Sequence, residues 1–163
     1  MTETIDNSSI AAHQSCVDGA AESIFKATCG ADLRPAAEPI DAAGGVIVAV
    51  IALVGELEWS VFLGLPKQTA SAAAAKFAGF PIPFESGDMG DAIGELTNIF
   101  AGEVKARLDA KGVKVDISLP TVIRAESIEV LVQRSGSTWK VCKDSDLGPL
   151  WLGVAGRGAG FMG

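Results

Sequence analysis

The residues best suited to chemistry are a carboxylate and a neutral amide that lie three positions apart, Glu95 and Asn98. At about 100° per residue, a helix over residues 88–110 places six side chains in one narrow arc: Asp91, Glu95, Asn98, Gly102, Lys105 and Asp109. A carboxylate at such a position can pair with a cation. An amide both donates and accepts hydrogen bonds and does not titrate. The arc therefore predicts a surface that can hold a cation and orient a polar molecule.

Two residues in this arc are poor helix formers. The Asn98 amide competes with the backbone for hydrogen bonds, and Gly102 costs about 1 kcal/mol relative to alanine. A glycine beside Asn98 leaves a flat patch that another molecule can approach closely. Exposed glutamate and asparagine are nevertheless common on helices that have no function, so the wheel alone leaves a plain solvated face as an alternative.

The opposite arc of the same segment is apolar, which predicts a helix packed against a sheet. Its members are Met89, Ala92, Ile93, Leu96, Ile99, Phe100 and Val104. Asp88 is the predicted N-cap and Asp91 is predicted in the first turn. Gly112 is predicted to end the helix.

The remaining segments predict the elements that must position this helix. Helical patterns cover residues 10–29 and 66–79. Strand patterns cover residues 45–54, 57–65, 113–119, 128–132, 138–142 and 150–154, and the first two form a predicted hairpin. The predicted fold class is α+β, with an antiparallel sheet of about five or six strands and two long helices packed on it. One domain is predicted over residues 9–155, between a flexible N-terminus (1–8) and a flexible glycine-rich tail (156–163).

Composition excludes several classes of function. The net charge of −7 and the absence of basic clusters argue against nucleic acid. The longest uncharged stretch, residues 42–55, is too short to span a membrane, and the acidic N-terminus does not resemble a secretory signal. We therefore expect a cytoplasmic protein that binds neither membrane nor nucleic acid.

Cysteine and histidine usage predicts neither a metal site nor a cofactor site. The three cysteines, Cys16, Cys29 and Cys142, are too scattered for a zinc site and predict reduced, mostly buried thiols. The single histidine, His13, lies close to the predicted mobile N-terminus, where a catalytic triad is not expected.

The motif on the helix resembles that of a known family. The run Asp91-x-x-x-Glu95-x-x-Asn98, with Gly102 after it and Pro120 22 positions beyond Asn98, resembles the motif of the CheC, CheX and FliY chemotaxis phosphatases. One intact motif is more similar to CheX, since CheC usually keeps two. The sequence also contains a worn first copy of this motif, Asp18-x-x-x-Glu22-x-x-Phe25, with Gly30 near the position equivalent to Gly102. This suggests an internal repeat whose first motif is catalytically inactive, because Phe25 replaces the asparagine.

The resemblance implies an activity, a partner and roles for the site residues. The implied substrate is the phospho-aspartate of a CheY-like response regulator, which supplies its own Mg²⁺ and lysine. Asn98 would orient the attacking water and Glu95 would pair with the receiver lysine, with Asp91 and Gly102 assisting the docking. The family further implies a homodimer. The alternative is a non-catalytic binding module in chemotaxis or another two-component system, although such an adaptor would be expected to lose Asn98.

Overall fold

The computed structural model describes residues 7–36, 40–129 and 136–157. Its elements, in chain order, are α1 (Asn7–Cys29), β1 (Arg34–Pro35), β2 (Val46–Gly55), β3 (Trp59–Pro66), α2 (Lys67–Ala78), α3 (Gly87–Ala110), β4 (Val115–Ile117), β5 (Thr121–Ala125), β6 (Ser137–Asp144) and β7 (Leu150–Gly156). The predicted α+β class with two long helices is confirmed, and the short alanine-rich α2 is a third helix.

All strand pairs of the sheet are antiparallel, and the seven described strands run in the order β1-β6-β7-β3-β2-β4, with β5 also paired to β2. The predicted hairpin is β2 and β3, which turn between Leu53 and Trp59. The short edge strands β1 and β5 were not predicted. Because β5 pairs only with β2 and is largely exposed, its sequence lacks the regular alternation of a half-buried strand.

One predicted strand, residues 128–132, is wrong where it can be checked. Ile128 and Glu129 belong to no strand, and residues 130–135 lie outside the described part of the chain. Ile128 instead packs against the small apolar cluster on the outer face of the sheet.

The sheet order supports the predicted internal repeat. Each half of the chain contributes a long helix, a short edge strand and a hairpin, namely α1, β1, β2 and β3, then α3, β4, β6 and β7. The central pair β7 and β3 separates two similar sides, since β6 and β1 follow on one side as β2 and β4 do on the other. Each edge strand pairs with the hairpin of the other half.

The motif alignment predicted for that repeat is wrong in its register. Gly30 ends α1 with a φ of 64°, and Gly112 follows the end of α3 with a φ of 79°, whereas Gly102 lies inside α3. Left-handed glycines of this kind mark equivalent helix ends. Phe25 lies five residues before Gly30, but Asn98 lies fourteen before Gly112. The residue at the matching depth in α1 is therefore near Cys16.

The helices pack on one face of the sheet and enclose the main core. The buried inward side chains alternate along β2 and β3, as expected for a sheet covered on that face. They are Ile47, Ala49, Ile51, Leu53, Trp59, Val61, Leu63 and Leu65. Phe25 of α1 and Phe100 of α3 are among the largest fully buried side chains facing them. The main core thus fixes α3 by its apolar side and leaves its other side outward.

The observed ends of α1 and β7 can be compared with the predicted domain limits only in part. Helix α1 already includes Asn7 and Ser8, and β7 reaches Gly156. The predicted flexible segments fall mostly on residues 1–6 and 158–163, which lie outside the described residues. The limits at residues 9 and 155 therefore stay predictions.

Candidate functional site

The start of α3 is fixed by contacts with β5. The N-cap is Ser86, with extended backbone angles, and Asp88 lies in the first turn, so the predicted cap at Asp88 is wrong. Asp91 consequently lies in the second turn. The Arg124 guanidinium donates hydrogen bonds to the carbonyl oxygens of Phe84 (3.0 Å) and Ser86 (3.1 Å). These contacts tie the loop before α3 to the sheet and so set where the helix begins.

The predicted site residues lie together on the outward face of α3. Asp91, Glu95 and Gly102 are exposed and Asn98 is half-buried. Residues three or four apart on a helix have Cβ atoms about 5–6 Å apart, so Glu95 and Asn98 can contact one molecule together. Among the described residues, none forms a hydrogen bond or ion pair with the side chains of Asp91, Glu95 or Asn98. The carboxylates and the amide are therefore available to a partner.

The opposite face of α3 is buried largely as predicted, except that Ala92 is half-buried and Ile99 is exposed. The buried residues are Met89, Ile93, Leu96, Thr97, Phe100, Ala101, Val104 and Leu108. Ile99 was predicted in this face but is 40 % exposed. Its position on the wheel is nearer to Glu95 than to the middle of the buried arc. Ile99 therefore provides an exposed apolar side chain one turn after Glu95, on the same side of the helix.

Thr97 is a buried polar residue that was not predicted to face the core. Its hydroxyl donates a hydrogen bond of 2.6 Å to the carbonyl oxygen of Ile93, one turn earlier. This local bond satisfies the hydroxyl without a partner from another element. The residue before Asn98 is thus held against the core, and its spacing of four positions from Ile93 and three from Phe100 is the signal that could have identified it.

Beyond Gly102 the polar stripe is engaged by the strand that follows the helix. Lys105 Nζ lies 3.3 Å from Asp116 Oδ1 in β4, and Lys114 Nζ contacts Asp109 Oδ1. All four side chains are substantially exposed, so each pair contributes little to stability. These ion pairs compensate the charges at the C-terminal end of the stripe. The carboxylates of Asp91 and Glu95 have no ion-pair partner among the described residues.

Gly102 leaves open space above the helix. A Cβ atom at this position would meet no atom within 4 Å, and the residue has ordinary helical angles. Neither crowding nor backbone conformation in the described structure therefore requires a glycine. This agrees with the predicted flat patch beside Asn98.

The described residues hold no group of three or more histidine, cysteine, aspartate or glutamate side chains that could bind a metal. His13 was predicted near a mobile terminus, but it lies within α1, with its ring centroid 6.0 Å from that of Trp59. Burial, assisted by the charge of Lys111, lowers the pKa of His13. Cys16 and Cys29 are buried, Cys142 is half-buried, and all three thiols are free.

A buried cation of the sheet packs against the other long helix, α1. Lys143 of β6 is only 4 % exposed, and its Nζ lies 2.8 Å from Asp18 Oδ1 and 3.2 Å from Glu22 Oε1 of α1. The contact with Asp18 is an ion pair rather than a directed hydrogen bond. The two acids of the predicted worn motif therefore already share a cation within the chain, unlike Asp91 and Glu95.

In the described part of the chain, no helix combines the length and apolar character needed to cross a membrane.

Comparison with known proteins gives a family match and several similar folds. Residues 47–141, more than half of the chain, match the family described as chemotaxis phosphatase CheX. The chemotaxis protein CheX of Vibrio vulnificus has 18 % identity and a TM-score of 0.76, covering 87 % of this chain and 97 % of its own. A CheC-like superfamily protein of Shewanella sp. PV-4 has 19 % identity and a TM-score of 0.77, covering 88 % and 96 %.

A third similar structure is the CheX–CheY–BeF3–Mg²⁺ complex of Borrelia burgdorferi. It has 19 % identity and a TM-score of 0.69, and covers 89 % of this chain and 97 % of its own. At these identities the structural likeness shows a shared fold. Among curated proteins, no match to the chain was found.

Proposed function

This chain belongs to the CheX family of chemotaxis phosphatases, and we propose that it hydrolyses the phospho-aspartate of a CheY-like receiver domain. One observation carries the proposal. The outward face of α3 holds Glu95 and Asn98 side by side, and no described residue engages either side chain. A partner of this kind is supported by the relative that was solved in complex with CheY and Mg²⁺.

The proposed reaction needs little covalent chemistry from the chain. A water oxygen attacks the phosphorus, the bond from phosphorus to the aspartate oxygen breaks, and inorganic phosphate and a free carboxylate are released. Positioning and electrostatics supply most of the acceleration in phosphoryl transfer. We assign Asn98 the orienting role, since its carboxamide can accept a hydrogen bond from the water and donate one to a phosphoryl oxygen.

Glu95 is proposed to dock the helix on the receiver. Its exposed carboxylate can form a charge-assisted hydrogen bond with a lysine of the receiver. Asp91, one turn earlier, adds negative charge on the same side, and the open space at Gly102 admits the receiver surface. The exposed Ile99, one turn after Glu95, supplies an apolar contact for the receiver next to Glu95. The metal for the reaction is expected on the receiver, and we assign no cofactor to this chain.

The direct test measures the decay of a phosphorylated CheY-like receiver with and without the protein. Wild type should accelerate the decay. Asn98→Ala should lower kcat by at least about 100-fold, the usual effect of removing one positioned hydrogen-bonding group from a transition state. The substitution should also raise the free energy of unfolding by up to about 0.7 kcal/mol, because alanine is the better helix former.

Asn98→Asp provides the matched control for shape. It keeps the size of the side chain but loses the amide donor and adds a charge, so it should be similarly inactive. Binding of the receiver to Asn98→Ala should persist, since the amide acts mainly in the transition state. If Asn98→Ala dephosphorylates the receiver as fast as wild type, the catalytic assignment is wrong and the binding-module alternative replaces it.

We also propose that the protein is a homodimer in the cytoplasm. The free edge of β5 supports the dimer, because its Ile123 is 39 % exposed and the strand pairs only with β2 in the described structure. Open strand edges favour pairing with another chain. The three free thiols suit a reducing compartment. Light scattering over a wide concentration range tests the dimer, and a monomeric mass throughout would contradict it.

A further inference from the structure

Gly94 is a residue of α3 whose missing side chain the fold does not explain. A Cβ atom there would have Val122 Cγ2 as its nearest neighbour at 3.8 Å, which is ordinary van der Waals contact. The glycine also has no left-handed backbone conformation. By contrast, a Cβ atom at Gly19 of α1 would lie 2.7 Å from a guanidinium nitrogen of Arg107. Alanine at Gly19 would require the Arg107 side chain to shift, whereas alanine would fit at Gly94 without any shift and would favour the helix.

The position of Gly94 relative to Asn98 suggests a reason. Side chains on a helix tilt toward its N-terminus, so the carboxamide of Asn98 lies over the turn that contains Gly94 and Glu95. Glu95 lies on one side of this turn. Gly94 lies on the other side, toward Val122 of β5. Within the preceding turn, Gly94 therefore leaves space without a side chain beside Asn98, on the side of Val122.

We propose that Gly94 is a positioning residue for the dephosphorylation. Its missing side chain leaves open space beside Asn98 for the attacking water, because a Cβ atom at this position has only Val122 Cγ2 within 4 Å, and a methyl group there would occupy the place of the water. This inference rests on the proposed function, in which Asn98 orients that water. It assigns a role to a residue outside the motif Asp91, Glu95 and Asn98.

Gly90 provides the matched control. It lies one turn before Gly94 on the same side of α3, is likewise half-buried, and a Cβ atom there would meet nothing within 4 Å. It is eight residues before Asn98, so a methyl group at Gly90 cannot contact the amide. Gly90→Ala and Gly94→Ala should each leave the thermal midpoint unchanged or raise it, because both replace glycine inside a helix.

The experiment measures kcat and KM of the full chain with a phosphorylated CheY-like receiver. Gly94→Ala should lower kcat by at least about 10-fold and change KM by less than about threefold, because misplacing a catalytic group by about 1 Å is costly while ground-state binding persists. Gly90→Ala should match wild type.

Three results would overturn the inference: equal kcat for the two variants, an effect of Gly94→Ala on KM alone, or a lower thermal midpoint for Gly94→Ala than for wild type. Failure of the proposed function itself would be seen in a different variant, since Asn98→Ala would then dephosphorylate the receiver as fast as wild type.

Discussion

The ion cluster of Lys143 with Asp18 and Glu22 should respond unequally to the loss of its base and the loss of its acids. The lysine side chain is 4 % exposed, whereas those of Asp18 and Glu22 are 32 % and 49 % exposed. Lys143→Met keeps the apolar stem and leaves two partly exposed carboxylates, although Oδ1 of Asp18 is itself buried and loses its cation, so the substitution should cost about 1–2 kcal/mol. The double variant Asp18→Asn, Glu22→Gln leaves the buried charge of Lys143 without an ionised partner and should lower the free energy of unfolding by about 3 kcal/mol.

Urea unfolding followed by tryptophan fluorescence at pH 7 gives these free energies, provided that the variants share one m-value. The exposed pair Lys26–Asp32, with side chains 61 % and 71 % exposed, is the control. Lys26→Met should change the free energy of unfolding by less than about 0.5 kcal/mol. The reasoning from burial is refuted if the double acid variant is as stable as Lys143→Met.

The same cluster predicts a pH dependence. Burial opposes the charge of Lys143, but the contacts with Asp18 and Glu22 outweigh it, and the pKa of Lys143 is raised. A raised lysine pKa contributes stability that is fully present below the unfolded value of about 10.4 and is lost as pH rises through the folded value. Between pH 9 and pH 11, wild type should therefore lose more stability than Lys143→Met.

Three further predictions concern α3 and the contact of α1 with Trp59. Glu95→Ala should weaken receiver binding in a titration, and the difference from wild type should shrink at high salt, where exposed charges are screened; equal affinities at low salt would contradict the docking role. Gly102→Leu should block receiver binding while its circular dichroism and thermal midpoint remain those of a folded protein. His13 has a lowered pKa, so its contribution to stability is present above about pH 6.5 and is lost as pH falls through the folded value. Denaturant unfolding at pH 7.5 and pH 5.5 should show a larger loss for wild type than for His13→Gln, and equal losses would exclude this contribution.

Local patterns in the sequence were enough for the elements that carry the candidate site. The period of α3 separates an outward stripe with Glu95 and Asn98 from an inward face with Phe100, because helical geometry repeats within a few residues. The hairpin β2–β3 was equally predictable, since a short turn joins two apolar runs. The resemblance of the run from Asp91 to Asn98, with Gly102 and Pro120 after it, to the motif of the CheX family was also visible in the sequence.

Tertiary structure decided what the wheel and the alternation could not. Ile99 is exposed because no other element covers the border of the buried arc, a property of the neighbours and not of the helix. The edge strand β5 is defined by its pairing with β2, more than 70 residues earlier, and therefore has little pattern of its own. The register of the internal repeat follows from which glycines end the helices, Gly30 and Gly112, and a short motif match placed it wrongly.

Long-range contacts also decided which charges are free. Asp18 and Glu22 have the same spacing as Asp91 and Glu95, so the sequence alone treats the two pairs as equivalent. The fold brings Lys143 under the first pair and leaves the second without a partner among the described residues. Burying an amine next to carboxylates requires residues more than 120 positions apart to meet, which only the packed sheet and helix determine.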